Sequence, residues 1–312
     1  METVVRIENL VKDFRPGFGL RKKRVLHGIS FEVKRGELFG FIGPNGAGKT
    51  TTLKVLMGLI RATSGHAELL GHDVRDAEFR RHVGFAPESP YFYDFLSGRE
   101  ILTYYAELCD VEPGKIPEQV EKVLGQVGLA HAGDARLRTY SKGMLQRIGI
   151  AQAIVHDPSV LFLDEPMSGL DPVGRKEIRD LIVRLNTEGK TIFMNTHILS
   201  DVEQICDRVA IIVEGRIAYA GALDALDAEQ KLFDVSLSAL PGDFAEELDS
   251  RYGALSGRGE RVTLRVDEKQ MRELVQGALA RGARVEEVTR HREDLETVFL
   301  RAVAGREGEG RA

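Results

Sequence analysis

The stretch Gly43-Pro44-Asn45-Gly46-Ala47-Gly48-Lys49-Thr50 fits the phosphate-loop pattern G-x-x-x-x-G-K-[ST]. It follows the apolar run Leu38–Ile42, which has the composition of a buried parallel strand, and it precedes a helical pattern over residues 49–59. Glycines let successive N–H groups point at phosphate oxygens, and the positive end of the following helix adds to the attraction. Because a strand and a helix flank it, the loop predicts nucleotide binding, with Lys49 at the β and γ phosphates and Thr50 on Mg²⁺.

The composition is that of a globular protein with a sizeable core. The chain has 312 residues, of which 43% are hydrophobic and 29% charged, so one large and one small domain are expected rather than disorder. A net charge of −5 provides no general basic field, which argues against a nucleic-acid partner. Cys109 and Cys206 form no disulfide framework and no metal-ligand spacing. No apolar run approaches the ~18 residues of a membrane-spanning helix, so any membrane part is expected on another chain.

Strand and helix patterns alternate over residues 1–221, which predicts an α/β domain built on a mostly parallel sheet. A long helical pattern is inserted between two of the central strands, and it predicts a helical subdomain over about residues 89–157. Within it, Ser97 and Glu100 have the spacing of a capping box at the start of a helix.

The pattern changes after residue 221. We expect residues 222–312 to form a small accessory α+β domain. Its elements are a linker helix at 224–231, strands at 233–237 and 261–266, and amphipathic helices at 270–280 and 294–302. The end of the chain, 305–312, lacks apolar periodicity and is expected to be disordered.

A second motif, Leu161-Phe162-Leu163-Asp164-Glu165, is an apolar strand pattern that ends in two carboxylates. Such a strand places both carboxylates at the carboxyl edge of the sheet, beside the phosphate loop. Asp164 is expected to hold Mg²⁺ through water, and Glu165 to orient and deprotonate an attacking water. A solvated acidic turn is the alternative, but it fits poorly with a pair that ends a buried strand.

Further motifs, taken in order along the chain, resemble those of the ABC ATPases. Tyr140-Ser141-Lys142-Gly143-Met144, followed by Gln146-Arg147, resembles the family signature. Asp164-Glu165-Pro166 and Ser168-Gly169-Leu170-Asp171 resemble its Walker B motif and D-loop, and Asn195-Thr196-His197 resembles its switch histidine. The resemblance covers residues 1 to about 220. Residues 294–300 look like the C-terminal extension of an exporter subgroup for drug or solute efflux, whose members pair with a separate type-2 permease.

The resemblance implies a fold and an assembly. The fold is that of a P-loop NTPase with an ABC-type sheet, an antiparallel N-terminal β part and the inserted helical subdomain. Two ATPase domains meet head to tail, so that ATP on one phosphate loop is closed by the signature of the other subunit. Ser141 and Gly143, at a helix start, suit contact with the γ-phosphate.

The resemblance also implies site residues. Glu165, His197 and Lys49 would be catalytic, and Thr50, Glu88 and Asp164 would hold Mg²⁺. Phe14 would stack on adenine, although a buried core phenylalanine is an open alternative. The expected ATP contacts are Phe14, Gly43, Pro44, Asn45, Gly46, Ala47, Gly48, Lys49, Thr50, Thr51, Glu88, Ser141, Gly143 and Asp171.

Two departures from the family pattern stand in the site. Glu88 replaces the usual glutamine, and its added charge favours the cation over bare phosphate. Lys142 and Met144 replace the usual glycine and glutamine of the signature, whereas Ser141 and Gly143 remain.

The function that the resemblance implies is ATP hydrolysis coupled to transport, of the export type in view of the subgroup. The expected partners are a second copy of the chain and an integral membrane permease, which would hold the protein at the cytoplasmic face of the cell membrane. The main alternative is a soluble ABC ATPase of translation or DNA repair. Translation-type members carry two ATPase domains in one chain, and repair-type members separate the nucleotide motifs by long coiled coils; this sequence has one phosphate loop and no sustained heptads. The transported substrate is not indicated by the sequence.

Overall fold

The computed structural model describes residues 2–15, 22–223, 232–252, 261–290 and 295–307. The described residues divide into two compact units. The first unit comprises those within 1–222 and 299–312, and the second those within 223–298. Among the described residues, no helix has both the length and the apolar composition needed to cross a membrane.

The described strands of the first unit form two sheets. The strands are β1 Thr3–Phe14, β2 Lys23–Lys34, β3 Leu38–Ile42, β4 Ser64–Leu69, β5 His72–Asp73, β6 Val83–Ala86, β7 Val160–Asp164, β8 Thr191–Thr196, β9 Arg208–Val213 and β10 Arg216–Ala222. One sheet has the order β10-β9-β3-β8-β7-β6, and its neighbours are parallel except for β10 against β9. The other is antiparallel, with the order β2-β1-β4-β5.

The central strands of the parallel sheet are buried on both faces. All side chains of β3, β7 and β8 are buried, as expected for strands covered by other layers on each side. Phe31 of β2 stacks against Phe39 of β3, with ring centroids 5.6 Å apart, and against Phe193 of β8 at 6.1 Å. These rings join the antiparallel sheet to the parallel one and form the centre of the core.

Helices of the first unit connect and extend these strands. They are α1 Lys49–Leu56, α2 Gly98–Leu108, α3 Ile116–Gln126, α4 Lys142–Ile154, α5 Pro172–Thr187 and α6 Leu199–Ile205. The capping box at the start of α2 is confirmed: Ser97 Oγ accepts from the Glu100 N–H at 3.2 Å, and the Ser97 N–H donates to Glu100 Oε2 at 2.7 Å. Helices α2, α3 and α4 lie between β6 and β7 in the chain, as the predicted insertion requires.

The second unit has an antiparallel sheet with helices packed on it. Its strands are β11 Leu232–Ser238, β12 Val262–Asp267 and β13 Arg284–Arg290, in the order β12-β11-β13. Two helices, α7 Gly242–Tyr252 and α8 Glu268–Ala280, contribute Phe244, Leu248 and Leu274 to its core. A last helix, α9, runs over Leu295–Glu307.

The predicted fold class is confirmed: a mostly parallel α/β sheet, an antiparallel N-terminal β part, inserted helices and a C-terminal α+β part. The expected disordered tail, 305–312, is wrong at its beginning, because α9 continues to Glu307. A helix that is already formed gains one hydrogen bond for each residue added, so α9 continues past the point where the apolar periodicity ends. The rest of that tail and the expected linker helix at 224–231 lie outside the described residues.

Candidate nucleotide-binding site

The phosphate loop connects β3 to α1 and is shaped by its glycines. Gly48 has φ 115°, in the left-handed region, and it is the N-cap of α1. A Cβ atom at Gly43 would collide with the main-chain oxygen of Ile212 on β9. The turn after β9 supports the loop as well, since the Gly215 N–H donates to the Ala47 carbonyl at 2.9 Å. The loop therefore lies at the carboxyl edge of the parallel sheet with its backbone fixed from one side.

Lys49 is the buried cation of this loop. Its side chain is 7% exposed, and Nζ donates to the Gly43 carbonyl at 2.6 Å and lies 3.8 Å from Glu165 Oε1. Burial lowers the pKa of Lys49, and the nearby carboxylates of Glu165, Asp164 and Glu88 oppose that change. The ammonium thus stands between the loop and the carboxylates.

Asp164 is the last residue of β7 and receives a hydrogen bond from the neighbouring strand. Asn195 Nδ2 donates to Asp164 Oδ1 at 3.1 Å. Burial raises the pKa of Asp164, with further increases from the charges of Glu165 and Glu88, whereas the bond from Asn195 and the charge of Lys49 lower it. A cation placed beside this carboxylate would relieve the repulsion among the three acidic groups.

Glu165 is held in an unusual backbone conformation. Its φ is 49°, in the left-handed region where a residue with a Cβ is strained, and its N–H donates to the Asn195 carbonyl at 2.9 Å. Its Oε2 lies 2.8 Å from His197 Nδ1. An ionised carboxylate can only accept, so this contact places the proton of the imidazole on Nδ1. Lys49 and His197 therefore fix the two oxygens of Glu165 in place.

These residues line a common cavity of about 360 Å³. The residues that line it are Val25, Pro44, Asn45, Gly46, Gly48, Lys49, Thr50, Thr51, Glu88, Asp164, Glu165 and His197. Of the expected contacts in the loop itself, Gly43 and Ala47 are held in the loop by the hydrogen bonds described above. The fold thus brings the phosphate loop, the two carboxylates, Glu88 and the histidine to one place.

The donor groups of the cavity suit Mg²⁺. The Thr50 hydroxyl and the carboxylates of Asp164 and Glu88 are oxygen ligands, which this ion prefers. In the part of the chain that the structure describes, no three His, Cys, Asp or Glu side chains form a group that holds a metal by themselves. Mg²⁺ commonly binds through one or two carboxylates together with substrate phosphates and water, so the residues fit an ion that arrives with a nucleotide.

Six of the expected ATP contacts do not line the cavity within this chain: Gly43 and Ala47 of the loop, and Phe14, Ser141, Gly143 and Asp171. Ser141 is the N-cap of α4 and accepts from the Met144 N–H at 3.2 Å. Asp171 is the N-cap of α5 and accepts from the Gly174 N–H at 2.9 Å. Phe14 is 38% exposed at the end of β1, with the Lys12 ammonium 4.9 Å from its ring centroid, so the alternative of a buried core phenylalanine is wrong.

The sequence motifs do not indicate the contribution of Asn195 to the geometry of both carboxylates. The Asn-Thr-His motif pointed only to the histidine. The signal available was a polar amide in the otherwise apolar run Ile192-Phe193-Met194-Asn195, next to the strand that ends in Asp164.

Comparison with known proteins identifies the family. The family model of the ABC transporter matches residues 26–168. An uncharacterized ABC transporter ATP-binding protein of Synechocystis sp. is 42% identical over 306 residues, which cover 97% of this chain and 85% of that protein. The chain belongs to the ATP-binding subunits of ABC transporters.

Other similar proteins include one with an assigned transport role and one with a solved structure. A fluoroquinolones export ATP-binding protein of Mycobacterium tuberculosis is 41% identical over 202 residues, covering 64% of this chain and 65% of that protein. The structure of cbiO1 from Clostridium perfringens, part of the ABC transporter complex cbiONQ, aligns with a TM-score of 0.66 at 27% identity. The alignment covers 80% of this ATP-binding subunit and 96% of cbiO1.

Proposed function

We propose that this ATP-binding subunit hydrolyses ATP and drives the export of a solute through a separate membrane permease. The observation that carries the proposal is the placement of Glu165 in the cavity of the phosphate loop. Its two carboxylate oxygens face Lys49 at 3.8 Å and His197 at 2.8 Å. A carboxylate fixed in this way beside a phosphate site is suited to orient and deprotonate a water for in-line attack on the γ-phosphate.

In this mechanism each side chain has a stated task. Lys49 exchanges its bond with the Gly43 carbonyl for the β and γ phosphate oxygens. Glu165 accepts the proton of the attacking water. His197 keeps the Glu165 carboxylate in position and faces the γ-phosphate. Thr50, Asp164 and Glu88 would hold Mg²⁺, which neutralises charge on the phosphates when it is bound.

We further propose that two copies of the chain share each ATP, and that Phe14 stacks on adenine at the edge of the site. Ser141, Gly143 and Asp171 lie outside the cavity of their own chain, which supports their use on the ATP of a second copy. Ser141 starts a helix, so its hydroxyl and the following N–H groups form a site for a γ-phosphate.

A complementation experiment tests the shared site. Ser141→Arg and Lys49→Ala each inactivate a homodimer, but a mixed dimer contains one site with both changes and one site with neither. ATPase activity should therefore return on mixing. No recovery in mixed dimers proven by differential affinity tags would contradict the sharing of sites, or show that both must work.

The partner that we propose is an integral membrane permease, which would hold the subunit at the cytoplasmic face of the membrane. Large aromatic side chains just before the start of α2 are exposed, among them Tyr91 at 93%, Tyr93 at 54% and Phe95 at 61%. Exposed aromatic side chains are enriched at protein interfaces. We propose that this segment, near 91–106, contacts the permease.

We also propose that residues 1–221 form the ATPase domain and that residues 222–312 form an accessory domain. The name of the M. tuberculosis relative supports export as the direction.

Purification from native membranes tests the transport assignment. A tagged subunit should co-purify with an integral membrane chain, and substitution of Tyr91 and Phe95 by Ser should reduce that yield while ATP binding is retained. Val173, 66% exposed at the start of α5, provides a control position, as Val173→Ser. Recovery of ribosomes or DNA-repair proteins without a membrane chain would favour a soluble ABC ATPase instead.

A further inference from the structure

Asn195 is a buried amide with one hydrogen-bonding group satisfied and the other not. Asn195 lies on β8 and is 0% exposed. It is in register with Asp164 on β7 and with Phe41 on β3. Nδ2 donates to Asp164 Oδ1 at 3.1 Å, whereas Oδ1 is buried and has no hydrogen-bond partner among the residues that the structure describes. The assignment of the two amide atoms follows from the carboxylate, which accepts from an N–H and would be repelled by an oxygen.

A buried acceptor without a partner destabilises the fold, because it loses its hydrogen bonds to water and gains none in exchange. The three preceding residues of β8 are Ile192, Phe193 and Met194, all of them buried and apolar, so an apolar residue at 195 would fit the strand without that cost. The amide is therefore best explained by what its N–H group does. The side-chain bond that it makes is to the carboxylate expected to bind the cation.

The main chain of Asn195 acts on the adjacent carboxylate as well. Its carbonyl accepts from the N–H of Glu165, the residue with φ 49°. One residue of β8 thus sets the side-chain direction of Asp164 and the backbone position of Glu165.

We propose that Asn195 is a positioning residue for the divalent cation, acting through Asp164 rather than by contact with ATP. The inference rests on the proposed function. Removal of the Nδ2 donor leaves the Asp164 carboxylate free to rotate from the cation, while the phosphate loop and its Lys49 contacts remain unchanged. Loss of such a hydrogen bond to a metal ligand typically weakens metal binding by about 10- to 100-fold.

The test separates the cation from the nucleotide. The full-length parent, Asn195→Leu and Asn195→Val are titrated with Mn²⁺ in the presence of a saturating non-hydrolysable ATP analogue, with electron paramagnetic resonance as the readout. The affinity for a fluorescent ATP analogue is measured separately in EDTA. Leu keeps the four side-chain heavy atoms of Asn and the branching at Cγ, and Val is a β-branched residue smaller than Leu and suited to a strand, so the second variant serves if the first does not fold.

Asn186→Leu is the matched control. Asn186 also donates amide hydrogen bonds, to the carbonyls of Gly36 at 2.8 Å and Lys190 at 3.0 Å. Those carbonyls precede β3 and β8, so this amide lies at the amino edge of the sheet, a strand length from the site.

We expect both Asn195 variants to bind Mn²⁺ at least about tenfold more weakly, with the affinity for the analogue in EDTA within about twofold of the parent. The Asn186 variant should match the parent in both measurements. An unchanged Mn²⁺ affinity in a folded Asn195 variant, or an equal loss of both affinities, overturns the positioning role. A parent that binds neither the analogue nor Mn²⁺ instead overturns the proposed function.

Discussion

Lys49 shows how the buried charges of the site depend on one another. Its side chain is 7% exposed, and its ammonium is stabilised by the Gly43 and Pro44 carbonyls and by Glu165. A buried ammonium is costly unless it is paired, so these groups keep the cation in the place where phosphate is expected. The same main-chain oxygens are weaker partners than phosphate oxygens, because hydrogen bonds between charged groups are the stronger ones.

Lys49→Ala should therefore abolish ATP turnover and weaken ATP binding by about tenfold or more, the worth of charge-assisted hydrogen bonds to the phosphates. Turnover by phosphate release and binding by a fluorescent analogue measure the two effects. Lys54→Ala, an exposed position in the last turn of the same helix, should leave both near the parent values. Parent-like hydrolysis by Lys49→Ala would refute the phosphate-loop assignment.

Glu165→Gln should retain ATP binding and slow hydrolysis by roughly 10² to 10⁴, the usual contribution of a general base. The amide keeps the shape of the side chain beside His197 but cannot take a proton from water. The slow variant should also accumulate as an ATP-bound dimer in size-exclusion chromatography with Mg²⁺. Glu177→Gln, on the partly exposed face of α5, is the control for loss of a carboxylate. A Glu165→Gln enzyme that turns over at the parent rate would mean that another group is the base.

At the scale of elements, the strands that could be predicted from the sequence are those whose side chains are buried. Strands β3, β7 and β8 are short and wholly buried, so their apolar runs and the motifs at their ends identified them. Strands β4, β5, β10 and β13 were missed. β4 includes Ser64, Gly65 and His66, and β13 has charged residues at most positions, so their pairing with distant strands determines them more than local pattern does.

The candidate site, like the strands, could be predicted from the sequence only in part. Residues at the ends of adjacent parallel strands meet because of sheet geometry, and this placed Lys49, Asp164 and His197 together from the sequence alone. The bond from Asn195 to Asp164 depends on the register of β8 against β7, which no local motif specifies. Helix α7 was missed as well, since its apolar residues Phe244 and Leu248 stand among many charged ones.

The contribution of the α2 capping box to the stability of the fold can be measured. Ser97 is 6% exposed, and its hydroxyl and N–H both bond to Glu100. Ser97→Ala should lower the free energy of unfolding by about 1 kcal/mol, which in a domain of this size lowers Tm by about 2–4 °C. Thermal and urea unfolding measure this, with Ser200→Ala, at an exposed position of α6, expected to change stability by no more than about 0.5 kcal/mol. Equal effects of the two substitutions would contradict a capping role.

At the scale of the whole molecule, the chemistry and the second unit are separate in sequence. Every residue that lines the phosphate cavity lies between Val25 and His197. The core of the second unit is formed by its own residues, such as Val235, Phe244 and Leu274. A chain that ends after Leu223 keeps all ten strands of the first unit that the structure describes.

This truncated chain should bind ATP and hydrolyse it within about threefold of the full-length rate, because no group assigned to the reaction is removed. If residues 222–312 support assembly with the permease, the truncation should reduce the yield of co-purified membrane chain by more than it reduces ATP turnover. The truncation also removes residues from Phe299 onward, which belong to the first compact unit, so a chain ending at residue 294 serves as a second truncation for comparison. Circular dichroism establishes that both chains are folded. Loss of ATP binding in a folded chain ending at Leu223, but not in the one ending at 294, would assign part of the site to residues 224–294. It would contradict the proposal that residues 1–221 contain all the groups that bind and hydrolyse ATP. Loss in both would assign it to the last helix, α9.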